Sequence, residues 1–376
     1  MTNSRTLGGE MLNLKKFYNN KTIVITGHTG FKGGWLASWL KIMGANVVGV
    51  AFDPPTTPSL FEQIELSETL IDLRFDINET EHLLATFHKY KPDFLFHLAA
   101  QPLVKSAYER PQETMQSNAM GTVSILEVLR RYSSKISVVF ITSDKVYDNQ
   151  EWVWGYRESD KLGGKDPYSA SKAMAELAIS TYCNSYFLDS PLLKVGIGRA
   201  GNVIGGGDWA ENRIVPDVIK AWDNREFCEI RNPASTRPWQ HVLEPLSGYL
   251  TLGVLLERKM LRNGEAFNFG PPANQDKSVK ELVEKMSQHW PDKDVGINSP
   301  NVQEASEAGL LKLNCDKAKQ LLNWEPTLGF EETVKMTVDW YRKFSMKDRS
   351  SMKEFTINQI NKYIELGKLR KKTWSY

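Results

Sequence analysis

The sequence predicts an α/β protein, with a Rossmann-type, doubly wound parallel sheet and a smaller C-terminal substrate-binding domain. Short β-branched runs alternate with longer helical patterns through the first half of the chain, which is the pattern of βαβ units. A glycine-rich turn joins the first of these runs to the first long helical pattern. After Gly198 the sequence is less regular and richer in Gly, Pro, Trp and Arg, which indicates a second domain of loops and helices.

The predicted elements follow the apolar pattern in chain order. The first strand, Thr22–Thr26, is a continuous apolar run that ends at a glycine, as expected for a strand buried on both faces. In the first helix, at 33–43, Trp35 and Trp39 recur at helical spacing, and Gly44 ends the pattern. Further strands are predicted at 46–52, 71–75, 94–98, 137–142, 193–198 and 265–270, and further helices at 79–90 and 119–132.

These elements predict three regions. Residues 15–198 form the Rossmann domain, to which the chain returns near 240–270. Residues 199–345 mainly form the second domain, which would close over a substrate. The charged tail at 346–376 is predicted to be a solvated helix without an assigned role.

The composition excludes several classes of protein. Lys+Arg 47 against Asp+Glu 45 leaves a net charge of +2, so no charge excess favours a nucleic-acid partner. The three cysteines lack metal-ligand spacing, so no metal site is predicted, and their sparse use is typical of a reducing compartment. Without a signal-like N-terminus or an apolar run long enough to span a membrane, the expected location is the cytoplasm.

The glycine turn predicts a dinucleotide site. Gly27, Gly30 and Gly33 directly follow a buried strand and open a helix, where glycine allows a tight turn and the helix N-terminus binds a pyrophosphate. The alternative is a purely structural turn. Asp53, at the end of the second strand, would bond the adenosine ribose and favour NAD over NADP, although it could instead be a turn aspartate before a proline. Asp76 and the adjacent Ile77 could contact the adenine.

A tyrosine and a lysine predict redox chemistry. Tyr168 and Lys172 lie one helical turn apart, a spacing that chance alone could produce. Their context is more informative, because they follow Ser143 at the end of a buried strand, on the edge where open α/β sheets bind ligands. Lys172 and a nicotinamide ring would lower the pKa of Tyr168. The phenolate could then take a proton from a sugar hydroxyl that Ser143 holds.

In combination, these motifs resemble the extended short-chain dehydrogenase/reductase family. The resemblance rests on the glycine turn, on 97–100 (HLAA), 118–122 (NAMGT) and Ser143, and on the Tyr168/Lys172 pair. More narrowly, four segments resemble the CDP-glucose branch of the NAD-dependent sugar-nucleotide 4,6-dehydratases: 58–62 (PSLFE), 142–145 (TSDK), 212–217 (NRIVPD) and 237–241 (RPWQH). The resemblance runs from about residue 20 to 345.

The resemblance implies roles for individual residues. The catalytic group would be Ser143, which binds the hydroxyl, Asp144, which protonates the departing C6 hydroxyl, Lys145, and the Tyr168/Lys172 pair. The NAD site would comprise Gly27, His28, Thr29, Gly30, Phe31, Lys32, Gly33, Asp53, Asp76, Ile77, Leu98, Ala99, Ala100, Asn118, Tyr168 and Lys172. CDP-glucose would be held by Gln101, Asn202, Arg213, Arg231 and Arg237.

Lys145 leaves the C5 base open. Other dehydratases of the resembled family generally carry glutamate at this position, whereas the CDP-glucose branch carries lysine. A neutral Lys145 would remove the C5 proton, which is the preferred interpretation, whereas a charged Lys145 would stabilise the developing enolate.

Two other functions would require only some of these residues. A sugar-nucleotide 4-epimerase shares the cofactor site and Tyr168/Lys172, but it needs no acid for a C6 leaving group and therefore no Asp144. A redox-sensing regulator could dispense with Ser143, Tyr168 and Lys172 altogether. The resemblance also implies a homodimer or a dimer of dimers that pairs through helices near 118–132 and 168–182, and a role in deoxysugars of surface polysaccharide.

Overall fold

The computed structural model describes residues 11–230, 232–272, 275–290, 297–298, 310–346 and 352–376. Among these residues the main sheet has seven strands, most of which are buried apolar runs. They are β1 (Thr22–Thr26), β2 (Asn46–Ala51), β3 (Ile71–Arg74), β4 (Phe94–His97), β5 (Ile136–Ile141), β6 (Leu193–Arg199) and β7 (Glu265–Asn268).

The sheet is parallel throughout, in the order β7-β6-β5-β4-β1-β2-β3. This is the Rossmann order with one added edge strand, which confirms the predicted fold class. The strand order reverses between β1 and β4, where Ile23 pairs with Phe94. Ligands of such sheets bind at the carboxyl ends of the strands at this switch point.

Helices cover both faces of the sheet. They are α1 (Leu14–Tyr18), α2 (Phe31–Ile42), α3 (Leu60–Gln63), α4 (Thr80–Tyr90), α5 (Val104–Glu109), α6 (Pro111–Met115), α7 (Gly121–Arg131), α8 (Pro167–Tyr182), α9 (Ile214–Asp223), α10 (Leu243–Glu257), α11 (Val279–His289), α12 (Asp316–Leu322), α13 (Phe330–Ser345) and α14 (Met352–Leu369). One core contains Trp35, Trp39 and Leu246, and the other contains Val24, Ile125 and Ile179. The sheet therefore lies between two separate apolar layers.

The helix predicted at 119–132 differs from the structure at its start. A π-helical turn, Gln116–Met120, precedes α7, which begins at Gly121. The Asn118 side chain lies in this turn and bonds to the backbone of Gln101 and to Ser171 Oγ. Those tertiary bonds accompany the local irregularity, which apolar periodicity does not reveal.

The chain passes between the sheet and the second region more than once. It leaves after β6 and returns through α10 and β7, so the strands predicted at 193–198 and 265–270 are present, the second ending at Asn268. The second region holds three pairs of two-residue strands. They are Val203–Ile204 with Gln240–His241, Thr236–Arg237 with Lys277–Ser278, and Cys228–Glu229 with Ile297–Asn298.

The prediction of a solvated C-terminal tail is wrong. Helix α14 packs against α2, where Tyr363 and Trp374 contact Trp39 with ring centroids 5.7 and 5.8 Å away. Tyr363 is fully buried and donates a hydrogen bond to Glu244 Oε2 at 2.8 Å. The charges of the tail occupy its outer face, so its composition conceals a buried apolar face.

Within the described ranges, no helix is long and apolar enough to cross a membrane. The same residues contain no group of three or more His, Cys, Asp or Glu side chains that could hold a metal ion.

Candidate functional site

A large cleft opens at the carboxyl ends of β1, β4 and β5, at the switch point of the sheet. Its volume is about 1380 Å³. Pockets for single small molecules occupy roughly 300–1,000 Å³, so this cleft has room for two ligands side by side. One wall is formed by the glycine turn and the segment after β4, and the other by the segments after β5 and β6.

Close backbone contacts shape the glycine turn. Gly27 has a φ of +77°, and a Cβ atom there would lie 2.7 Å from the backbone nitrogen of Ala99. A Cβ on Gly33 would lie 2.1 Å from the carbonyl oxygen of Gly27. Only glycine fits both positions. Gly30 caps α2 without a side-chain hydrogen bond, so the first N–H groups of α2 remain available to a pyrophosphate. The turn therefore fits a dinucleotide.

Most residues predicted for the cofactor line this cleft. They are Gly27, Thr29, Gly30, Phe31, Lys32, Gly33, Asp53, Asp76, Ile77, Leu98, Ala99, Ala100, Tyr168 and Lys172. The Asp53 side chain is 94% exposed, and Arg74 Nη1 lies 3.8 Å from its carboxylate. A cation this close offsets part of the repulsion that Asp53 would exert on a 2′-phosphate.

His28 does not face the cleft. Its ring is fully buried beside Gly49, and its Nε2 lies 2.8 Å from Asp72 Oδ1. Burial lowers the pKa of His28. The strand–turn geometry therefore directs the ring into the protein, and the assignment of His28 to the cofactor site stays a prediction.

Asn118 and Gln101 also have structural roles. Asn118 is buried and bonds to the Gln101 backbone at 2.8 and 3.0 Å and to Ser171 Oγ at 2.8 Å. The Gln101 side chain donates to Leu103 O and to Thr114 Oγ1. Neither side chain lines the cleft. They fix the turn after β4, and their predicted cofactor and substrate contacts stay predictions.

Helix α8 carries Tyr168 and Lys172 into the cleft. It begins at Pro167, and Asp166 Oδ1 caps it by accepting from Ser169 N at 2.9 Å. Burial raises the pKa of Tyr168 to about 12, although a hydrogen bond with Ser143 and the charge of Arg213 oppose this rise. Burial and the charge of Lys32 lower the pKa of Lys172 to about 8. In the protein alone, burial therefore outweighs the lowering of the Tyr168 pKa that was expected from Lys172 and a nicotinamide ring.

Asp144 is held between two donors. It is 4% exposed, and its Oδ1 accepts from Ser143 Oγ at 2.9 Å and its Oδ2 from Asn202 Nδ2 at 3.2 Å. Ser143 Oγ also caps the short helical turn after β5 by accepting from Lys145 N. Lys145 is half-buried and lines the cleft. The segment 143–145 thus places a hydroxyl, a carboxyl and an amine at one edge of the sheet.

A buried ion pair behind α8 was missed in the sequence. Arg199 Nε donates to both Glu176 carboxylate oxygens at 2.9 and 3.0 Å. Thr142 Oγ1 donates to Glu176 Oε1 at 2.6 Å, which ties β5 to α8 directly before Ser143. Helical spacing could have pointed to Glu176. Tyr168, Lys172 and Glu176 follow one another at intervals of four residues and therefore share one face of the helix.

The second wall brings together three of the predicted substrate residues, Asn202, Arg213 and Arg237. Arg231 lies outside the described residues. Arg213 Nη1 donates to Asp208 Oδ2 at 2.7 Å, and Asp208 is buried. The sequence patterns did not predict a role for Asp208. Its position five residues before Arg213 is the feature of the sequence that could have suggested this contact.

Lys32 connects the two walls. Burial lowers the pKa of Lys32 to about 8, and the positive charge of Arg213 adds to this effect. The carboxylates of Asp144 and Asp208 act in the opposite direction. The cleft is therefore rich in cationic donors, as required to bind a polyphosphate.

Comparisons with known proteins agree with this geometry. The model of the GDP-mannose 4,6-dehydratase family matches residues 24–337. CDP-glucose 4,6-dehydratase of Salmonella typhimurium is 47% identical over 332 residues, which cover 87% of this chain and 92% of that protein. The resemblance inferred from short motifs is confirmed.

Solved structures share the fold. The dTDP-glucose 4,6-dehydratase of Bacillus anthracis in complex with NAD matches with a TM-score of 0.71 at 23% identity, covering 87% of this chain and 98% of that one. The UDP-glucose 4-epimerase of Thermotoga maritima with UDP-glucose matches with a TM-score of 0.73 at 22% identity, covering 86% and 99%. With the family model spanning most of its length, this chain belongs to the GDP-mannose 4,6-dehydratase family.

Proposed function

We propose that the protein is an NAD-dependent hydro-lyase that converts CDP-glucose into CDP-4-keto-6-deoxyglucose. The observation that carries this proposal is Asp144, a buried carboxyl in the same cleft as Tyr168 and Lys172. A redox tyrosine alone suits many reactions, whereas an acid beside it suits the loss of a hydroxyl.

NAD would bind on the glycine-turn wall. The N–H groups at the start of α2 would bind its pyrophosphate, Asp53 its ribose, and Asp76 and Ile77 the adenine side of the cleft. When bound, NAD would accept a hydride from C4 of the sugar and return it to C6, so the net reaction is dehydration.

The side chains of the other wall would move the protons. Ser143 would hold the C4 hydroxyl while Tyr168 removes its proton. Oxidation at C4 makes the C5 proton acidic, and Lys145 would remove it. Asp144 would protonate the C6 oxygen as the C–O bond breaks, so that water leaves, and Lys145 would return a proton to C5 when the hydride reaches C6.

The choice of CDP-glucose rests on the relative from Salmonella typhimurium, whose name specifies this nucleotide sugar. Arg213 and Arg237 line the cleft and would bind the pyrophosphate of CDP-glucose, because a guanidinium group can donate two parallel hydrogen bonds to phosphate oxygens. Epimerases share the fold, but an epimerase has no use for Asp144 as an acid.

We also propose that the protein is a homodimer or a dimer of dimers and that it lies in the cytoplasm. Three apolar side chains on α8 and on the π-helical turn before α7 are exposed, Met120 (47%), Met174 (47%) and Leu177 (56%), and would be covered by a second copy. The three cysteines are free thiols, which is typical of a reducing compartment.

The proposed function is tested by incubating the protein and NAD with CDP-, dTDP-, UDP- and GDP-glucose and measuring product masses. CDP-glucose should lose one water. The Asp144→Asn variant should still form NADH and a 4-keto sugar. Water should leave the sugar at least about 100-fold more slowly, since a positioned acid raises the rate of such a step by roughly 10²–10⁴-fold. Tyr168→Phe should form no NADH.

Asp148→Asn is the matched control for Asp144→Asn, because Asp148 pairs with exposed Lys161 outside the cleft and its loss should leave turnover unchanged. Dehydration by Asp144→Asn at the wild-type rate would show that the leaving-group acid lies elsewhere. An epimerised product with unchanged mass would replace the dehydratase by an epimerase.

The role of Lys145 has its own test. Lys145→Ala should nearly abolish exchange of the C5 hydrogen with solvent, and Lys145→Glu should restore part of it, if Lys145 is the base. A partial loss without rescue by glutamate would favour electrostatic stabilisation of the enolate. Wild-type exchange in Lys145→Ala would exclude both roles. The measurement is deuterium incorporation at C5, followed by mass spectrometry.

A further inference from the structure

A second, very small cavity lies next to Asp144 and shares Asp144, Gly201 and Asn202 with the lining of the main cleft. Its volume is about 10 Å³. This is close to the minimum that holds one water molecule, about 10–15 Å³. Its lining includes Asp144, Gly201, Gln240, Gly270, Asp276 and Lys312.

Gln240 lines this cavity with an unsatisfied oxygen. The residue is 2% exposed, and its Nε2 donates to Gly201 O and to Phe269 O, both at 2.9 Å. Because both partners are carbonyls, the amide orientation is fixed and Oε1 cannot exchange places with Nε2. Oε1 finds no donor among the described residues. A buried amide oxygen without a donor is costly, and a bound water is the usual remedy.

Asp144 closes the other end of the cavity. A Cβ atom on Gly201 would lie 1.9 Å from Asp144 Oδ2, so only glycine leaves room for the carboxylate at this point. Asp276 and Lys312 form an ion pair on the opposite wall, and each side chain is 18% exposed. The cavity therefore extends from the carboxyl of Asp144 to a partly exposed pair of charges.

We propose that this cavity binds one water molecule that bridges Gln240 Oε1 and the carboxyl of Asp144, and that this water returns a proton to Asp144 after each turnover. The proton-return step rests on the proposed function. In that reaction Asp144 gives one proton to the C6 oxygen, and the base takes one proton from C5. The balance closes when C5 regains a proton from the base as the hydride returns to C6, Tyr168 releases to solvent the proton that it took from the C4 hydroxyl, and Asp144 regains one from solvent through the bridging water.

A crystal structure of the full chain with NAD tests the water site directly. Density for one water within about 3.2 Å of both Gln240 Oε1 and an Asp144 oxygen is expected. A protein donor on Oε1, or a well-ordered site without this water, would overturn the proposal. This readout does not depend on the reaction, so it remains decisive even if the protein fails to dehydrate CDP-glucose.

Substitution of Gln240 tests the proton return. Gln240→Met removes the oxygen at similar size and should slow repeated turnover about 10-fold, because a proton relay contributes less than the acid itself. The NADH formed in a single turnover should be unchanged. Gln240→Glu should recover part of the rate at low pH, where a protonated carboxyl both donates to a carbonyl and keeps an acceptor.

Gln359→Met is the matched control, because Gln359 is also buried, donates to Met336 O and has an unbonded Oε1, but lies on α14. Gln359→Met should lower the thermal stability of the protein about as much as Gln240→Met does, but it should not slow turnover. Equal turnover in Gln240→Met and wild type would refute the proton-return role. A slower first hydride transfer in Gln240→Met would refute it too, by showing general damage to the site.

Discussion

The two walls of the cleft are built in different ways. The cofactor wall is shaped mainly by backbone, and Gly27 and Gly33 lie closer to neighbouring backbone atoms than any side chain would allow. The substrate wall consists of side chains that hydrogen bonds and ion pairs hold in place, as in the Asp144–Asn202 and Arg213–Asp208 contacts. A packed backbone cannot yield to a new atom, whereas a polar side chain can be altered in steps. Substitutions should therefore act abruptly on the first wall and gradually on the second.

The largest effect is expected for Gly33→Ala. Its Cβ would lie 2.1 Å from Gly27 O, so the turn must shift. NAD binding should weaken about 100-fold or more, since displacements near 1 Å carry costs of that size. The free energy of unfolding should fall by about 1–3 kcal/mol. Calorimetric titration with NAD and thermal unfolding measure the two effects.

Gly30→Ala is the control within the same turn. Its Cβ would lie 3.4 Å from Gly27 O, so the neighbouring atoms need to give only slightly. Much weaker effects are expected. Equal NAD affinities for the two variants would show that backbone crowding does not set the shape of this wall.

An intermediate effect is expected for Asp208→Asn on the substrate wall. The change removes the charge that orients Arg213 through a 2.7 Å hydrogen bond but preserves the shape of the side chain. Hydrogen bonds to charged groups contribute about 1.5–3 kcal/mol, so KM for the nucleotide sugar should rise about 10-fold with little change in kcat.

Steady-state kinetics, with Asp339→Asn as the control, measure this effect. Asp339 pairs with Lys335 at 2.6 Å on α13, and neither residue lines the cleft. A fall in kcat at constant KM would contradict a role of Asp208 in positioning Arg213 for binding.

The smallest effect is expected for Asp53→Ala, which removes the side chain proposed to bind the ribose on the cofactor wall. Asp53 is almost fully exposed and lies near Arg74, so NAD affinity should fall only about 3-fold, within the range of exposed charge interactions. The preference for NAD over NADP should narrow by a similar factor, as measured by kcat/KM with each cofactor. An unchanged preference would exclude Asp53 as the ribose ligand.

Local sequence patterns predicted the sheet well. β1, β2 and β4 are continuous apolar runs, and the glycine turn, Ser143 and Tyr168 follow strand ends or helix starts that such patterns mark. These patterns alone therefore suffice to predict that the cleft lies at the switch point of the sheet.

Contacts between distant parts of the chain could not be predicted in this way. The inward orientation of His28 depends on the space over Gly49 and on Asp72, and the roles of Gln101 and Asn118 depend on each other. The raised pKa of Tyr168 depends on its burial in the folded protein. Each is a property of tertiary packing, to which helical or strand periodicity is blind.

The packing of α14 on α2 also has a consequence for synthesis on the ribosome. The ring of Trp39 remains without Tyr363 and Trp374 until almost all of the sequence has been translated. At roughly 5–20 residues per second, this delay amounts to roughly 15–60 s. During that interval the nascent nucleotide-binding half presents an apolar surface, and a ribosome stalled before α14 would leave it permanently exposed to chaperones and proteases.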